Sequence, residues 1–171
     1  LIQGNAALSN RLIYFNGADY VSFDGSAGGI MSSNSKLIIR NLYTLSTAGS
    51  NIEFANDATH NVLNALQLEG GFNASACVTI SGTSSANGND FLSIQNCTIR
   101  DRSDISTSPP QKGITSTGTG TGLTANSNNT IHGNYFQNTL GAINVGSTGN
   151  NGPWVISDNH IFTSTGLTIP S

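Results

Sequence analysis

Charge is scarce in this sequence, and the scarcity excludes several classes of protein. Only 9% of the 171 residues are charged, and six Lys and Arg against nine Asp and Glu leave a net charge of -3. Such a chain carries no basic stripe, so we expect no nucleic-acid partner. No apolar run approaches the roughly 18 residues that a membrane span requires, so we expect no membrane insertion.

Low charge in this chain does not predict disorder. A disordered segment lacks recurring apolar pairs because it has no core to fill. Here 36% of the residues are hydrophobic, and aliphatic pairs recur between stretches rich in Gly, Asn, Ser and Thr. The length suits one domain with a sizeable core. We therefore expect a single folded domain over residues 1–171.

The stretch from Asn89 to Asp101 contains the pattern that the rest of the chain repeats. Leu92 and Ile94 alternate with polar residues as in a half-buried strand, and Asn96 is a residue that tolerates a left-handed bend. The stretch is therefore predicted to be a strand, a sharp bend and a second strand. The residues that correspond to Ile94 in the other repeats are Ile39, Leu63, Ile131 and Ile156, with Phe23 as a shorter match.

The bend and the strand that follows it repeat as well. Asn, Gly and Asp enter the left-handed region cheaply, and Ala65 is the exception among the predicted bend residues. Those residues are Gly25, Asn41, Ala65, Asn96, Gly133 and Asp158. Five positions after Ile94 and its counterparts, the mostly apolar residues are Thr44, Leu68, Ile99, Phe136 and Ile161.

A second series of apolar pairs is interleaved with the first. Its members are Ile13/Phe15, Ile52/Phe54, Val78/Ile80, Ile143/Val145 and Leu167/Ile169, with Ile114/Ser116 as a weaker member. From Ile52 to Leu167 the steps are 26, 36, 29 and 24 residues. Repeats of this length, each too short to bury a core alone, are typical of a solenoid. The outward residues between the pairs are Tyr14, Glu53, Thr79, Thr115, Asn144 and Thr168.

We therefore predict an all-β chain that forms a parallel β-helix of about five to six coils. The stretch from His60 to Glu69 leaves an alternative open, because Val62, Leu63 and Leu66 also have helix-like spacing before Gly70. Its register with the neighbouring bends favours strands. Asn134 and Asn159 share one position after the bend and would stack as an internal amide ladder.

The two cysteines, Cys77 and Cys97, lie on either side of one coil. Two cysteines are too few for a disulfide-stapled scaffold, and their spacing is not that of a metal site. Cys97 is predicted to face inward as a small hydrophobe, and a disulfide with Cys77 is the alternative. The other residues predicted to share the position of Cys97 are Leu42, Leu66, Asn134 and Asn159.

The repeats continue to the last residues without a polar cap, and we expect the chain to be a segment of a longer protein. Exposed coil ends favour self-association or contact with neighbouring domains.

Four phrases of the sequence resemble a known group of proteins. The phrases are Asn16–Gly25, Glu53–Asp57, Thr98–Asp104 and Asn126–Ile131. They are similar to the right-handed parallel β-helix repeats of large secreted surface proteins of Bacteroidota, and the resemblance implies that the predicted β-helix is right-handed. The resemblance implies a secreted or cell-surface location. Pectate lyases, polygalacturonases, adhesins and phage tailspikes share this general fold, which therefore does not decide the function.

Candidate ligand-binding residues cluster after one strand. Asp101 and Asp104 would contact a cation or a sugar and Arg102 an anion, whereas the alternative is a mixed-charge loop whose charges pair with one another. The long loops at Arg100–Lys112 and Thr115–Asn128 would border a groove. Neither a catalytic set nor a cofactor site is predicted. Calcium binding through Asp19, Asp24 or Asp57 is a weaker alternative, since turn residues of this type ordinarily bond their own backbone.

Two other features are predicted to be structural. His60, His132 and His160 fall at different phases of the repeat and are not expected to converge. Trp154 occupies the position of Leu37 and Leu92, which favours a core role over a sugar-stacking platform.

The sequence favours a structural or adhesive β-helix segment, which could stack end to end into a filament. The alternatives are a polysaccharide lyase or hydrolase and a module that binds glycans without turnover, so polysaccharide is a candidate partner. Enzyme activity is left open.

Overall fold

The computed structural model describes residues 1–4, 10–26, 37–44, 47–83, 87–102, 108–118, 120–146, 148–150 and 152–163. In this part of the chain the ordered elements are short parallel β-strands and one 3-10 turn, Gly122–Thr124. The strands form three parallel sheets, called here A, B and C. Among the described residues no helix is long and apolar enough to span a bilayer.

Each sheet takes every third strand of the chain. Sheet A consists of β1 (Ile2–Gln3), β4 (Leu37–Arg40), β7 (Leu66–Gly70), β10 (Thr98–Asp101), β13 (Tyr135–Gln137) and β16 (His160–Phe162). Sheet B consists of β2 (Ile13–Asn16), β5 (Ile52–Ala55), β8 (Val78–Ile80), β11 (Ile114–Ser116) and β14 (Ile143–Val145). Sheet C consists of β3 (Ser22–Asp24), β6 (Val62–Asn64), β9 (Ser93–Gln95), β12 (Thr130–His132) and β15 (Val155–Ser157).

Three consecutive strands therefore make one coil. Coil one is β2 to β4, coil two β5 to β7, coil three β8 to β10, coil four β11 to β13 and coil five β14 to β16, with β1 preceding them. Neighbouring coils lie about 4.8 Å apart, so the described rod is about 25 Å long. The predicted parallel β-helix is confirmed.

The inward residues of sheet B lie in single file, as predicted. The file runs through Ile13, Ile52, Val78, Ile114 and Ile143. Stacking these residues buries surface that no single coil could bury by itself. The last predicted pair, Leu167/Ile169, lies outside the described residues.

The assignment of Ile39 to the same file as Ile94 was wrong. The sheet C file is Phe23, Leu63, Ile94, Ile131 and Ile156. Ile39 instead pairs with Leu68 in sheet A, at the position predicted for Thr44. The cause is that coil one has a longer connection between its second and third strands than the other coils, so the five-residue spacing fails there.

The same longer connection displaces the position of Cys97. Leu37, rather than the predicted Leu42, pairs with Leu66. Cys97 follows in this position and is fully buried, which confirms the inward orientation. Cys77 is also buried, and both thiols are free, so the disulfide alternative was wrong.

The bend between sheets C and A is left-handed in coils two to five. Its residues are Ala65, Asn96, Gly133 and Asp158, with φ angles of 52°, 55°, 63° and 55°. Gly25 and Asn41, also predicted for this bend, are not among the described residues with positive φ. Ala65 adopts the strained conformation although its side chain disfavours it, because the coils on either side impose it.

The segment from His60 to Glu69 is extended, so the helix alternative was wrong. β6 and β7 occupy it, and Leu63 and Leu66 are both fully buried. Pairing with two neighbouring coils overrides the modest helix propensity of the segment.

Asparagine side chains replace missing backbone partners inside the bends. Asn134 Nδ2 donates to Asn159 Oδ1 at 3.1 Å, which confirms the predicted amide ladder. A comparable arrangement holds the bend between sheets B and C, where Asn129 Oδ1 accepts from the Leu92 backbone N–H at 2.7 Å. Each such bond satisfies a buried group that would otherwise destabilise the fold.

Candidate functional site

The polar cluster predicted to contact a ligand is mostly buried. Asp101 ends β10 and is 3% exposed, and the neighbouring Arg102 is 5% exposed. Arg102 Nη1 donates to the backbone oxygen of Asn41 at 2.8 Å, so this side chain reaches from coil three to coil one. Asp104 lies outside the described residues. Ligand contact through these residues stays a prediction, whereas the structure shows Arg102 bracing the rod.

A charged row on the outer face of sheet A adjoins that cluster. Arg40, Glu69 and Arg100 occupy successive coils in register. Glu69 is 2% exposed, forms an ion pair with Arg40 and accepts from Gln67 Nε2 at 2.6 Å. A buried carboxylate with this set of partners joins neighbouring coils, and removing one partner would leave an uncompensated charge.

A more exposed feature occupies the bend between sheets B and C. Tyr20, His60 and Phe91 lie at the same position in coils one to three, and we call them the aromatic ladder. The Tyr20 and His60 ring centroids are 4.6 Å apart at 18°, and those of His60 and Phe91 are 4.7 Å apart at 19°. Their separation matches the coil spacing of about 4.8 Å. The rings are therefore stacked along the rod axis.

The backbone conformation of these residues directs their side chains outward. Tyr20, His60 and Phe91 have φ angles of 57°, 56° and 56°, and Asn128 continues the series at 54°. Bulky residues rarely adopt this region, and such outliers concentrate at functional sites. The backbone N–H of Phe91 donates to Ser127 O at 3.2 Å, so the bend is tied to the next coil.

A polar column runs beside the aromatic ladder, one residue earlier in each bend. It alternates carboxylates with hydroxyls as Asp19, Thr59, Asp90 and Ser127. Asp19 Oδ1 accepts from the backbone N–H of Thr59 at 2.8 Å and from its hydroxyl at 2.9 Å. Asp90 Oδ1 accepts from the same two groups of Ser127 at 2.6 and 2.9 Å.

The electrostatic surroundings of this polar column are negative. Partial burial raises the pKa of Asp90, and the nearby carboxylate of Asp57 raises it further, although the bonds from Ser127 oppose the shift. In the described part of the chain, Arg and Lys form no ion pair with Asp19, Asp57 or Asp90. The bend therefore presents aromatic rings beside carboxylates that pair with no Arg or Lys of the described residues.

The three histidines lie in three different places. His60 belongs to the aromatic ladder, and His160 stacks on Tyr135 with centroids 4.9 Å apart. His132 Nδ1 lies 2.9 Å from Ser157 Oγ and 3.3 Å from Asp158 Oδ2. Because both oxygens contact the same ring nitrogen, this group does not have the geometry of a proton relay.

Residues considered for metal binding make other bonds. Asp24 Oδ1 accepts from the backbone N–H and the hydroxyl of Ser26, at 2.9 and 2.7 Å, and these bonds lower the pKa of Asp24. Within the described ranges, His, Cys, Asp and Glu form no cluster of three or more that would hold a metal ion.

The loop after β11 borders a cavity of about 310 Å³. Its lining residues are Gly120, Thr121, Gly122, Ala125, Thr148, Gly149 and Asn150. The cavity thus lies between two glycine-rich loops, and its lining carries no ionisable side chain. Its lining cannot supply the carboxylate or Arg that glycan hydrolysis or a lyase reaction would require.

Trp154 lies at the position of Leu92, as predicted, but the assignment of Leu37 to that position was wrong, because Leu37 pairs with Leu66 in sheet A. The Trp154 side chain packs against the core and its Nε1 donates to Asn126 O at 3.3 Å, as predicted for a core residue. The exposed rings lie one residue earlier in the bend. Tyr20, His60 and Phe91 each precede a sheet C inward residue by three positions, and this shared spacing was the signal that could have found them.

Comparison of the chain with protein-family models, with curated proteins and with solved structures finds no match. The architecture nevertheless follows from the strand pairing, since strands three apart in sequence pair in parallel throughout the described ranges. The chain is a parallel β-helix with an aromatic and acidic bend.

Proposed function

We propose that this chain is a structural and adhesive rod segment of a secreted or cell-surface protein, extended by further coils of the same protein or of a second copy. The observation that carries the proposal is the open face of coil five. Its strands β14, β15 and β16 pair with coil four on one edge, and among the described residues nothing pairs with the other edge.

The core files continue onto that open face. Ile156 lies in register with Ile131, and Ile161 with Phe136. Ile131 and Phe136 are fully buried, whereas Ile156 is 48% and Ile161 69% exposed. Covering an aliphatic side chain of this size contributes roughly 1.5 to 3 kcal/mol. An open parallel edge with apolar side chains in register is a template for another coil.

The location rests on a different kind of support. The phrases around Asn16–Gly25 and Asn126–Ile131 resemble repeats of secreted surface proteins of Bacteroidota. The low charge and the Gly-, Asn- and Ser-rich bends fit a rod whose surface is polar without being strongly charged.

Sedimentation velocity over a concentration series tests coil stacking. The parent chain should associate as concentration rises, and Ile161→Asp should shift the equilibrium toward monomer by at least tenfold in dissociation constant, because a charge would enter the covered face. Leu123→Asp is the matched control, since Leu123 is 78% exposed but lies in the 3-10 turn after β11. A parent chain that stays monomeric at every concentration, or equal effects of the two substitutions, would contradict stacking.

A further inference from the structure

The aromatic ladder ends at a ring with one open face. His60 covers one face of Phe91, and Phe91 remains 50% exposed. In coil four the same position holds Asn128, which has the same left-handed backbone but no ring. The aromatic stack is therefore interrupted beside Phe91.

Pro153 of coil five lies on the far side of Asn128 from Phe91. The pairing of Thr130 with Val155 places exposed Pro153 in coil five at the position that Asn128 holds in coil four. Phe91 and Pro153 are thus two coil steps apart, about 9.6 Å along the axis. The residue that coil four supplies between them is Asn128, whose side chain is smaller than an aromatic ring, and we call the space outside Asn128 the notch.

Polar groups surround this notch. Asp90 Oδ1 is engaged by Ser127, but in the described part of the chain Asp90 Oδ2 takes part in no hydrogen bond. Asn128 Nδ2 donates to Ser127 Oγ at 3.1 Å, which leaves its amide oxygen as an acceptor. The notch therefore combines an aromatic face with a carboxylate oxygen, an amide and a hydroxyl.

We propose that this notch binds a pyranose ring of an uncharged glycan. The C–H face of a sugar packs on an aromatic ring, while its hydroxyl groups donate to carboxylates and exchange hydrogen bonds with amides. The carboxylates of Asp19, Asp57 and Asp90 repel a polyanion, so the occupant is neutral and not an acidic polysaccharide.

A basic peptide would also be attracted by these carboxylates. The sugar is favoured because Asn128 and Ser127 both donate and accept, as the hydroxyl groups of a sugar require, whereas a guanidinium or ammonium group only donates. The notch also has walls on two sides, which suits a ring better than a flexible side chain.

Affinity electrophoresis and calorimetry with defined glycans test the proposal. The neutral probes are soluble β-glucan, xylan and mannan, the acidic probes are polygalacturonate and alginate, and oligolysine represents a basic peptide. At least one neutral probe should bind, and Phe91→Asn should weaken that binding about tenfold. Asn suits the left-handed backbone at position 91, as Asn128 shows in the next coil, so the variant should keep the fold.

Tyr135→Asn is the matched control, because Tyr135 is exposed and stacked on His160 but lies on sheet A. Its glycan affinity should equal that of the parent. The proposal would be overturned if Phe91→Asn bound the neutral probe as tightly as the parent, or if the parent preferred an acidic probe. It would also be overturned if the parent bound only oligolysine, or bound none of the neutral probes.

The glycan proposal specifies the adhesive part of the proposed function and does not depend on coil stacking. The Ile161→Asp variant, with a disrupted open face, should therefore bind the neutral glycan as the parent does. Loss of stacking with intact glycan binding, or the reverse, identifies which of the two proposals has failed.

Discussion

Asn134 Oδ1 in coil four accepts a hydrogen bond from the backbone N–H of Cys97 in coil three, at 2.9 Å. The same side chain donates from Nδ2 to Ile94 O at 2.8 Å. Asn134 is fully buried, so it replaces water for two backbone groups at once. The bend between sheets C and A therefore depends on a side chain where a regular sheet would use its backbone.

Asn134→Ala should lower the free energy of unfolding by about 3 kcal/mol, because it leaves a buried N–H and a buried carbonyl without partners. Asn134→Asp should be worse at neutral pH, since the new carboxylate would face the carbonyl of Ile94. Urea denaturation measures both changes. Asn144→Ala is the control, because Asn144 is exposed on β14, and its effect should be within about 0.5 kcal/mol. Equal losses for Asn134→Ala and Asn144→Ala would refute the role of the ladder.

Ala65→Gly should stabilise the protein by about 0.5 to 1 kcal/mol. Ala65 has a φ of 52°, where a Cβ is strained and glycine is not. Ala55→Gly should have the opposite sign, since Ala55 is buried in β5 and glycine weakens a strand. Thermal unfolding of the two variants would show midpoints displaced in opposite directions. Midpoints displaced in the same direction would show that left-handed strain at Ala65 is negligible.

Both cysteines should be unreactive in the folded protein. Burial raises the pKa of Cys77 to about 12, and the neighbouring Asp101 adds to the shift. Because the thiolate is the reactive form, a thiol reagent at pH 8 should modify the native chain only at the rate of unfolding. In denaturant it should titrate two thiols, since both are free. Rapid native labelling, or fewer than two thiols after unfolding without reductant, would contradict the structure.

Asp90→Asn should alter how stability depends on pH. The raised pKa of Asp90 means that the folded state holds this proton more tightly than the unfolded state. Ionisation of Asp90 therefore lowers the free energy of unfolding as pH rises from the ordinary pKa of Asp to the raised pKa of Asp90. Below the ordinary pKa of Asp, this group has no effect on the pH dependence of stability. The variant should lose this decline, while Oδ1 of the new side chain still accepts from Ser127.

Urea titrations at pH 3 to 7 measure the difference between the parent and Asp90→Asn, which should grow in favour of the variant toward pH 7. Asp57 and His60 are the other ionisable groups that act on Asp90, and both remain in the variant, so only the difference is informative. A constant difference across this range would show that Asp90 is not perturbed by folding.

Much of the fold was predictable because apolar residues recur at spacings that only stacked coils can satisfy. The file from Ile13 to Ile143 and the pairing of Asn134 with Asn159 follow directly from those spacings. The misplaced Ile39 shows the limit of this reasoning. Alignment by spacing assumes equal connections, and coil one violates that assumption between β3 and β4.

The surface was harder to predict than the core. The inward positions are aliphatic in most coils, whereas the position of Tyr20, His60 and Phe91 is aromatic in three coils only and holds Asn128 in the next. Similarly, Asp101 and Arg102 look like surface charges in the sequence, but both are buried, and Arg102 crosses two coils to reach Asn41. Contacts between distant coils of this kind leave no periodic signal.

Coils of different length pair without loss of register, so each coil acts as a repeating module whose equivalent positions accept different residues. Leu66, Cys97 and Asn134 occupy one position with three different chemistries, and the neighbouring coils accommodate each of them. Duplication of a whole coil would therefore lengthen the molecule by about 4.8 Å without requiring new packing. The architecture thus behaves as an adjustable spacer, whose reach is set by the copy number of its repeat.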